Sequence, residues 1–321
     1  MQGLYRRRDA LIWEQNYEIV RIEPWGRDSL RVRATVLGEI RDDLPGALLP
    51  PASNTAQIEV GTGHATIRNG AIAAEVRLED GSRGARAVLR FLNAATGDEV
   101  LAETPSHFPR YPARQFKSVG GNCFRVEVRF QGCDGERLYG LGQHQHGRLD
   151  QKGCVVDLFQ INTEVCIPFV LSSRGYGFLW HNPAVGRVEL GYDQTRWIAE
   201  ATPQMDYWIT VGDTPAEIMA RYAEATGHVP MLPEWASGFW QCKLRYRTQE
   251  ELLSIARQYR QRGLPLSVIV VDFFHWTKQG DWQFDPACWP DPAEMVRELE
   301  EMGVKVMVSV WPSVNALSRN F

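Results

Sequence analysis

At 321 residues, with 44% hydrophobic and 23% charged side chains, the chain reads as a globular protein of about two domains, and disordered and fibrous classes are excluded. Its formal net charge of −4, with Arg and Lys dispersed among acids, leaves no footprint for nucleic acid and points to a neutral partner. No apolar run approaches the ~20 residues that span a bilayer, and the basic start leads into Asp9, Glu14 and Asn16 rather than an apolar signal core, so no membrane partner and a cytoplasmic location are expected.

From Asn16 to about Trp208 the chain alternates apolar and polar residues in short segments. Ser29-Leu-Arg-Val-Arg-Ala-Thr-Val36, Ala65-Thr-Ile67, residues 72–78 and residues 123–130 are examples. Turn formers separate them, as in Glu79-Asp-Gly-Ser82 and residues 93–98, and residues 42–54 read as a loop rich in Pro and Gly. The segments predict an antiparallel β-sandwich over residues 1–232.

The grammar changes after Pro233. Residues 237–241 predict a strand. Thr248, followed three residues later by Glu251, opens a helix in which Leu252, Ile255, Ala256 and Tyr259 recur at helical spacing until Gly263. Residues 266–271 form a continuous apolar run, typical of a strand buried on both faces. Asp291-Pro-Ala-Glu294 opens a second helix with an N-cap, a proline at the first position and an acid at the third, and residues 304–310 predict the next strand. The order β-α-β-α-β argues a parallel sheet over residues 233–321, as in a doubly wound sheet or a (β/α)8 barrel. No Gly-x-Gly-x-x-Gly follows any of these strands, so no dinucleotide cofactor is expected. Each strand instead ends in polar and aromatic residues, Trp240-Gln-Cys-Lys243, Asp272-Phe-Phe-His-Trp276 and Trp311-Pro312, which favours the barrel, whose sites lie at the strands' C-terminal ends.

The six cysteines, Cys123, Cys133, Cys154, Cys166, Cys242 and Cys288, lack a Cys-x-x-Cys pair or nearby His, so neither zinc nor a disulfide framework is expected and they read as buried small apolar residues. Gln143-His-Gln-His146 offers two alternating histidines without a third ligand, weak grounds for a metal; a loop reading is preferred.

The run Leu266-Ser-Val-Ile-Val-Val-Asp-Phe-Phe-His-Trp276, followed by Gly280-Asp-Trp-Gln-Phe-Asp285 and Trp289-Pro-Asp-Pro292, resembles the second barrel strand of family 31 glycoside hydrolases, the α-xylosidases and α-glucosidases. Leu232-Pro-Glu-Trp-Ala-Ser-Gly-Phe-Trp240 resembles the entry into that barrel, Tyr139-Gly-Leu-Gly142 the loop closing the N-terminal β domain, and Gly175-Tyr-Gly-Phe-Leu-Trp-His-Asn-Pro183 a further part of that domain. The resemblance implies an N-terminal β-sandwich followed by the first three βα units of a (β/α)8 TIM barrel. It also implies retaining hydrolysis of α-linked sugars without a cofactor, using two aspartates on later strands. On this reading the catalytic pair lies beyond Phe321, no residue here replaces it, and the chain alone is expected to be inactive.

For the site, the resemblance places Asp272 against sugar hydroxyls. A carboxylate after six residues that include five apolar ones is also hard to explain as packing. Phe273 and Phe274 follow, one expected in the pocket and the other in the core. Trp311 is expected to line the sugar pocket, and Trp276 and Trp282 to shape it from the loop after Asp272. His275 reads as a loop residue supporting the site, and Asp281 and Asp285 as structural. Lys243, Arg245 and Tyr246 either rim the side of the departing group or form solvated surface. The partner expected is an α-linked oligosaccharide or glycoside, with a homo-oligomer possible at full length; a non-catalytic carbohydrate-binding fragment is the competing reading.

Overall fold

The computed structural model describes residues 3–51, 55–80, 84–106 and 111–321. Gly81 and Ser82 of one expected turn, and residues 52–54 of the expected Pro- and Gly-rich loop, lie outside the described residues. The chain divides into two compact units, Met1–Val229 and Pro230–Phe321.

Among the described residues, the first unit contains antiparallel sheets of eight, five and five strands. Period-two patterning produces them: Ala87, Leu89 and Phe91 are buried along Arg86–Asn93, as are Ala65 and Ile67 along His64–Asn69. All three sheets feed one apolar core, as a sandwich requires. At the centre of the large sheet, Ser29–Thr35 pairs with Met205–Val211, and both strands are buried along their whole length. Leu30, Val32, Tyr207 and Ile209 supply that core. The alternate residues Arg31 and Asp206 form a buried ion pair, Nε to Oδ1 at 2.9 Å and Nη2 to Oδ2 at 2.6 Å, with the guanidinium 4.3 Å from the Trp25 ring centre.

The helix Pro215–Thr226 was not expected from the β-rich reading. It presses Ile218 and Ala225 onto Phe169, Leu179 and Trp208. Its signal was present, since Thr214-Pro-Ala-Glu217 repeats the pattern of Asp291-Pro-Ala-Glu294, and the Thr214 hydroxyl accepts from the Glu217 N–H at 3.3 Å. Tyr139-Gly-Leu-Gly142, expected as a loop, lies inside the strand Leu138–Gln143. The register slips between Gly140 and Gly142, and Gly140, Leu141 and Gly142 all have positive φ. A Cβ on Gly142 would run into the Val165 carbonyl of the neighbouring strand, so the motif's glycines make a bulge rather than a turn.

In the second unit three parallel strands, Trp240–Gln241, Val268–Val271 and Lys305–Val308, alternate with the helices Gln249–Gln261 and Pro292–Glu301. All three strands are shorter than expected. The first is cut to two residues because Glu234–Ser237 forms a 3-10 turn, in which the Ser237 hydroxyl donates to the Glu234 carbonyl at 2.7 Å and competes with extended backbone. The Thr248 hydroxyl accepts from the Glu251 N–H at 3.2 Å, while Glu251 reaches back to the Arg247 N–H at 2.7 Å, one residue before the N-cap. Asp291 Oδ1 caps its helix by accepting from Glu294 N–H at 2.8 Å. Leu252, Ala256, Ile269, Val271, Met295 and Leu299 make a separate core. It also takes Tyr246, which is therefore packing rather than rim.

The six cysteines are free; five are partly buried and Cys242 is exposed, shallower than expected. Among the described residues no group of three or more metal-ligating side chains occurs. His144 Nε2 donates to the Leu141 carbonyl at 2.8 Å, its Nδ1 lies 3.2 Å from Glu164 Oε2, and its ring stacks on His146.

Candidate active site

Parallel strands end with their last residues at one edge, and here those residues gather an acid and a set of aromatic rings. Asp272 follows Val271 directly and is half-buried. Its Oδ1 accepts from the Phe273 N–H at 2.8 Å, and its Oδ2 lies 3.8 Å from the Cys242 thiol at the end of the first strand. Among the described residues no Lys or Arg forms a salt bridge with it. A carboxylate accepts about four hydrogen bonds, so Asp272 retains capacity for hydroxyl donors. Burial first, then the Asp272 charge and hydrogen bond, push the Cys242 thiol up, so it stays protonated as a donor.

The aromatic residues converge on Trp311, just beyond the third strand. Phe273 stacks on it with centroids 5.6 Å apart, Phe274 lies at 6.0 Å and Trp276 at 5.9 Å. The Trp282 indole N–H donates to the Trp311 carbonyl at 3.0 Å. Trp276 is 8% exposed, whereas Trp311 is 39% exposed and Phe274 and Trp282 are each 51% exposed, so the ring cluster presents open faces. Neither Phe273 nor Phe274 belongs to the apolar core of this unit, contrary to the expected division between core and pocket. All six residues singled out from the sequence thus lie in one patch.

Phe274 and Trp282 sit at φ 61° and 50°, in the left-handed region. For a bulky non-glycine residue this conformation is unfavourable, and it persists only where surroundings enforce it, as at ligand sites. Gly280, at φ 94°, approaches the Val314 backbone so closely that a Cβ would lie 2.7 Å from the Val314 Cα, which helps fix the loop carrying Trp282.

The neighbouring polar groups have structural work. His275 is buried, its Nδ1 is 3.1 Å from the Asp272 carbonyl and its ring packs on Trp276 and Phe284; burial holds its pKa below the usual histidine value. Asp281 accepts from Thr277 Oγ1 at 2.7 Å and from Ser318 Oγ at 2.8 Å, and these bonds hold its pKa below the usual carboxylate value. Asp285 Oδ1 accepts from the Ala287 N–H at 3.0 Å. Sequence reading missed the Cys242 thiol beside Asp272 and, although it offered Arg245 as a rim residue, did not foresee its guanidinium 5.6 Å from the Phe274 ring centre. Neither residue type carries a signal for such a contact.

Residues 22–189 match the glycosyl hydrolase 31 N-terminal galactose mutarotase-like domain, and residues 229–320 match the glycosyl hydrolases family 31 TIM-barrel domain. An uncharacterized family 31 glucosidase of Pseudescherichia vulneris is 46% identical over 331 residues, covering 100% of this chain and 62% of that protein. An α-xylosidase of Saccharolobus solfataricus is 40% identical over 201 residues, 59% of this chain and 28% of that protein. The crystal structure of a GH31 α-xylosidase from a soil metagenome, complexed with xylose, superposes with TM-score 0.91 at 45% identity over 99% of this chain and 48% of that one. The chain thus spans about half the length of the relatives it matches. Its three parallel strands are opening βα units of a TIM barrel, its antiparallel sheets are the domain that precedes the barrel, and the chain belongs to glycosyl hydrolase family 31.

Proposed function

We propose that the protein is a retaining α-glycoside hydrolase of the α-xylosidase type, cleaving non-reducing terminal α-linked sugars, and that Asp272, Phe273, Phe274, Trp276, Trp282 and Trp311 hold the ring that is cleaved. The observation that carries this reading is a carboxylate with free acceptor capacity at a strand end, beside Trp311 and the rings packed on it. A pyranose ring offers hydroxyls around its edge and C–H groups on its faces, so it needs that combination of acceptor and aromatic surface. Retention requires, besides Asp272, a pair of carboxylates about 5 to 5.5 Å apart, one attacking the anomeric carbon and the other protonating the departing oxygen. Neither role is given to a residue of this chain.

Asp272 acts on the sugar, not on the scissile bond. Its bonds to ring hydroxyls strengthen as positive charge develops in the oxocarbenium-like transition state, so its contribution appears in kcat/KM. In the enzyme with its complete barrel, Asp272→Asn is expected to lower kcat/KM by ~10- to 1,000-fold, or roughly 1.4 to 4 kcal/mol of transition-state binding. Steady-state kinetics with aryl α-xylosides and aryl α-glucosides measure it. Unchanged kinetics with both substrates remove Asp272 from the site, and faster turnover of the glucoside replaces the xylosidase assignment with an α-glucosidase one.

A further inference from the structure

Next to the aromatic patch lies a second depression of about 440 Å³, lined by Lys243, Leu244, Arg245, Arg247, Glu251 and Phe273. Phe273 belongs to both, so one ring separates this depression from the Asp272 site. Three cations and one acid line it, and the acid is already engaged. Glu251 Oε1 takes Lys243 Nζ at 2.6 Å and its Oε2 takes the Arg247 N–H at 2.7 Å, which holds Glu251 ionised below the usual carboxylate range. Among the described residues, Arg245 and Arg247 have no carboxylate within the 4.0 Å of a salt bridge. Arg245 rests on the Phe274 ring. Elsewhere in the unit Arg257 grips Glu298 and Glu250 and Arg297 binds Glu294, whereas Arg260 and Arg262 reach only the Glu301 carbonyl and Gln258. Two guanidiniums thus stand beside the sugar patch without a salt bridge, Glu251 acting on Arg247 only at longer range, and guanidinium is the side chain whose planar fork suits carboxylate and phosphate oxygens.

We infer that this depression receives the departing part of the substrate and selects one bearing an anionic oxygen group, a carboxylate or a phosphate, through Arg245 and Arg247. The inference rests on the proposed function, since it needs the sugar ring held at Asp272. An exposed ion pair is worth about a 1.4- to fivefold preference.

The test compares kcat/KM of the full-length enzyme for phenyl, 4-carboxyphenyl and 4-phosphophenyl α-D-xylosides, in wild type, Arg247→Gln and Arg245→Gln. Dividing each variant's selectivity by the wild-type selectivity cancels differences in leaving-group reactivity. The expected result is a loss of selectivity of about 1.4- to fivefold for at least one charged glycoside in Arg247→Gln, measured against phenyl xyloside as the uncharged reference, with the wild-type preference shrinking as salt is raised. Whichever charged glycoside loses more identifies the anion. Selectivity unchanged in both variants overturns the inference while leaving the α-xylosidase reading intact. Turnover of none of the three glycosides overturns that reading and this inference with it. Circular dichroism of Arg245→Gln separates lost recognition from lost folding, and Arg247, being exposed, provides the variant free of that question.

Discussion

At the scale of single residues, the second side of the central strand pair carries the greatest risk. Arg31 and Asp206 are 7% and 5% exposed at their side chains, and His181 Nδ1 lies 3.3 Å from Asp206 Oδ2. The Leu48 N–H meets the other ring nitrogen at 3.1 Å, so the pair also pins the segment after the first four strands. Removing one partner of a buried pair leaves an uncompensated charge, which costs far more than the pair itself contributes. Arg31→Leu is therefore expected to destabilise the first unit by about 3 to 5 kcal/mol, read as a lower urea midpoint. A change below about 1 kcal/mol would mean that water or His181 compensates Asp206. In the sequence, Arg31 and Arg33 read only as the polar half of an alternating strand. The strand on its other edge, and with it the counter-ion of Arg31, comes 175 residues later, so nothing adjacent to Arg31 in sequence shows that its face is covered too.

Among elements, the two helices of the second unit were the most legible, because their start signals are local and chemical. Thr248 with Glu251, and Asp291-Pro-Ala-Glu294, each place a side-chain oxygen on an N–H that the helix itself cannot satisfy. Thr248→Ala is expected to cost about 1 kcal/mol of the second unit's stability. Thr248→Asp should restore most of it, as thermal melts of the two variants would show. An equal loss in both variants would place the role of Thr248 elsewhere than its cap. Strand bounds were less legible, since a run of apolar residues does not say where pairing stops: residues 266–271 are apolar nearly throughout, yet pairing covers only Val268–Val271. The candidate site residues stood out in the sequence for a different reason. A lone carboxylate and several aromatic rings at strand ends break the apolar pattern, and that break is visible without any structure. Their left-handed backbone at Phe274 and Trp282 was not, because no residue type announces it.

Across the whole molecule, the order of the large sheet has a consequence for how the protein is made. Its strands near the start of the chain, up to Ser29–Thr35, are joined to the rest of that sheet only through Met205–Val211. At a synthesis rate of roughly 5 to 20 residues per second, the 175 residues between Arg31 and Asp206 take roughly 10 to 35 s to emerge. For that interval Ser29–Thr35 has an open edge, and Arg31 lacks its counter-ion. A chain released after Thr202 should thus remain unfolded in this sheet, showing weak near-ultraviolet dichroism and rapid proteolysis, whereas one released after Gly227 should be protected; equal protection of the two would mean that the early strands fold without their late partner. The strands up to Ser29–Thr35 are thus among the last parts of the large sheet to be sealed, and the nascent chain spends that interval as a natural client for chaperones that shield unpaired strands.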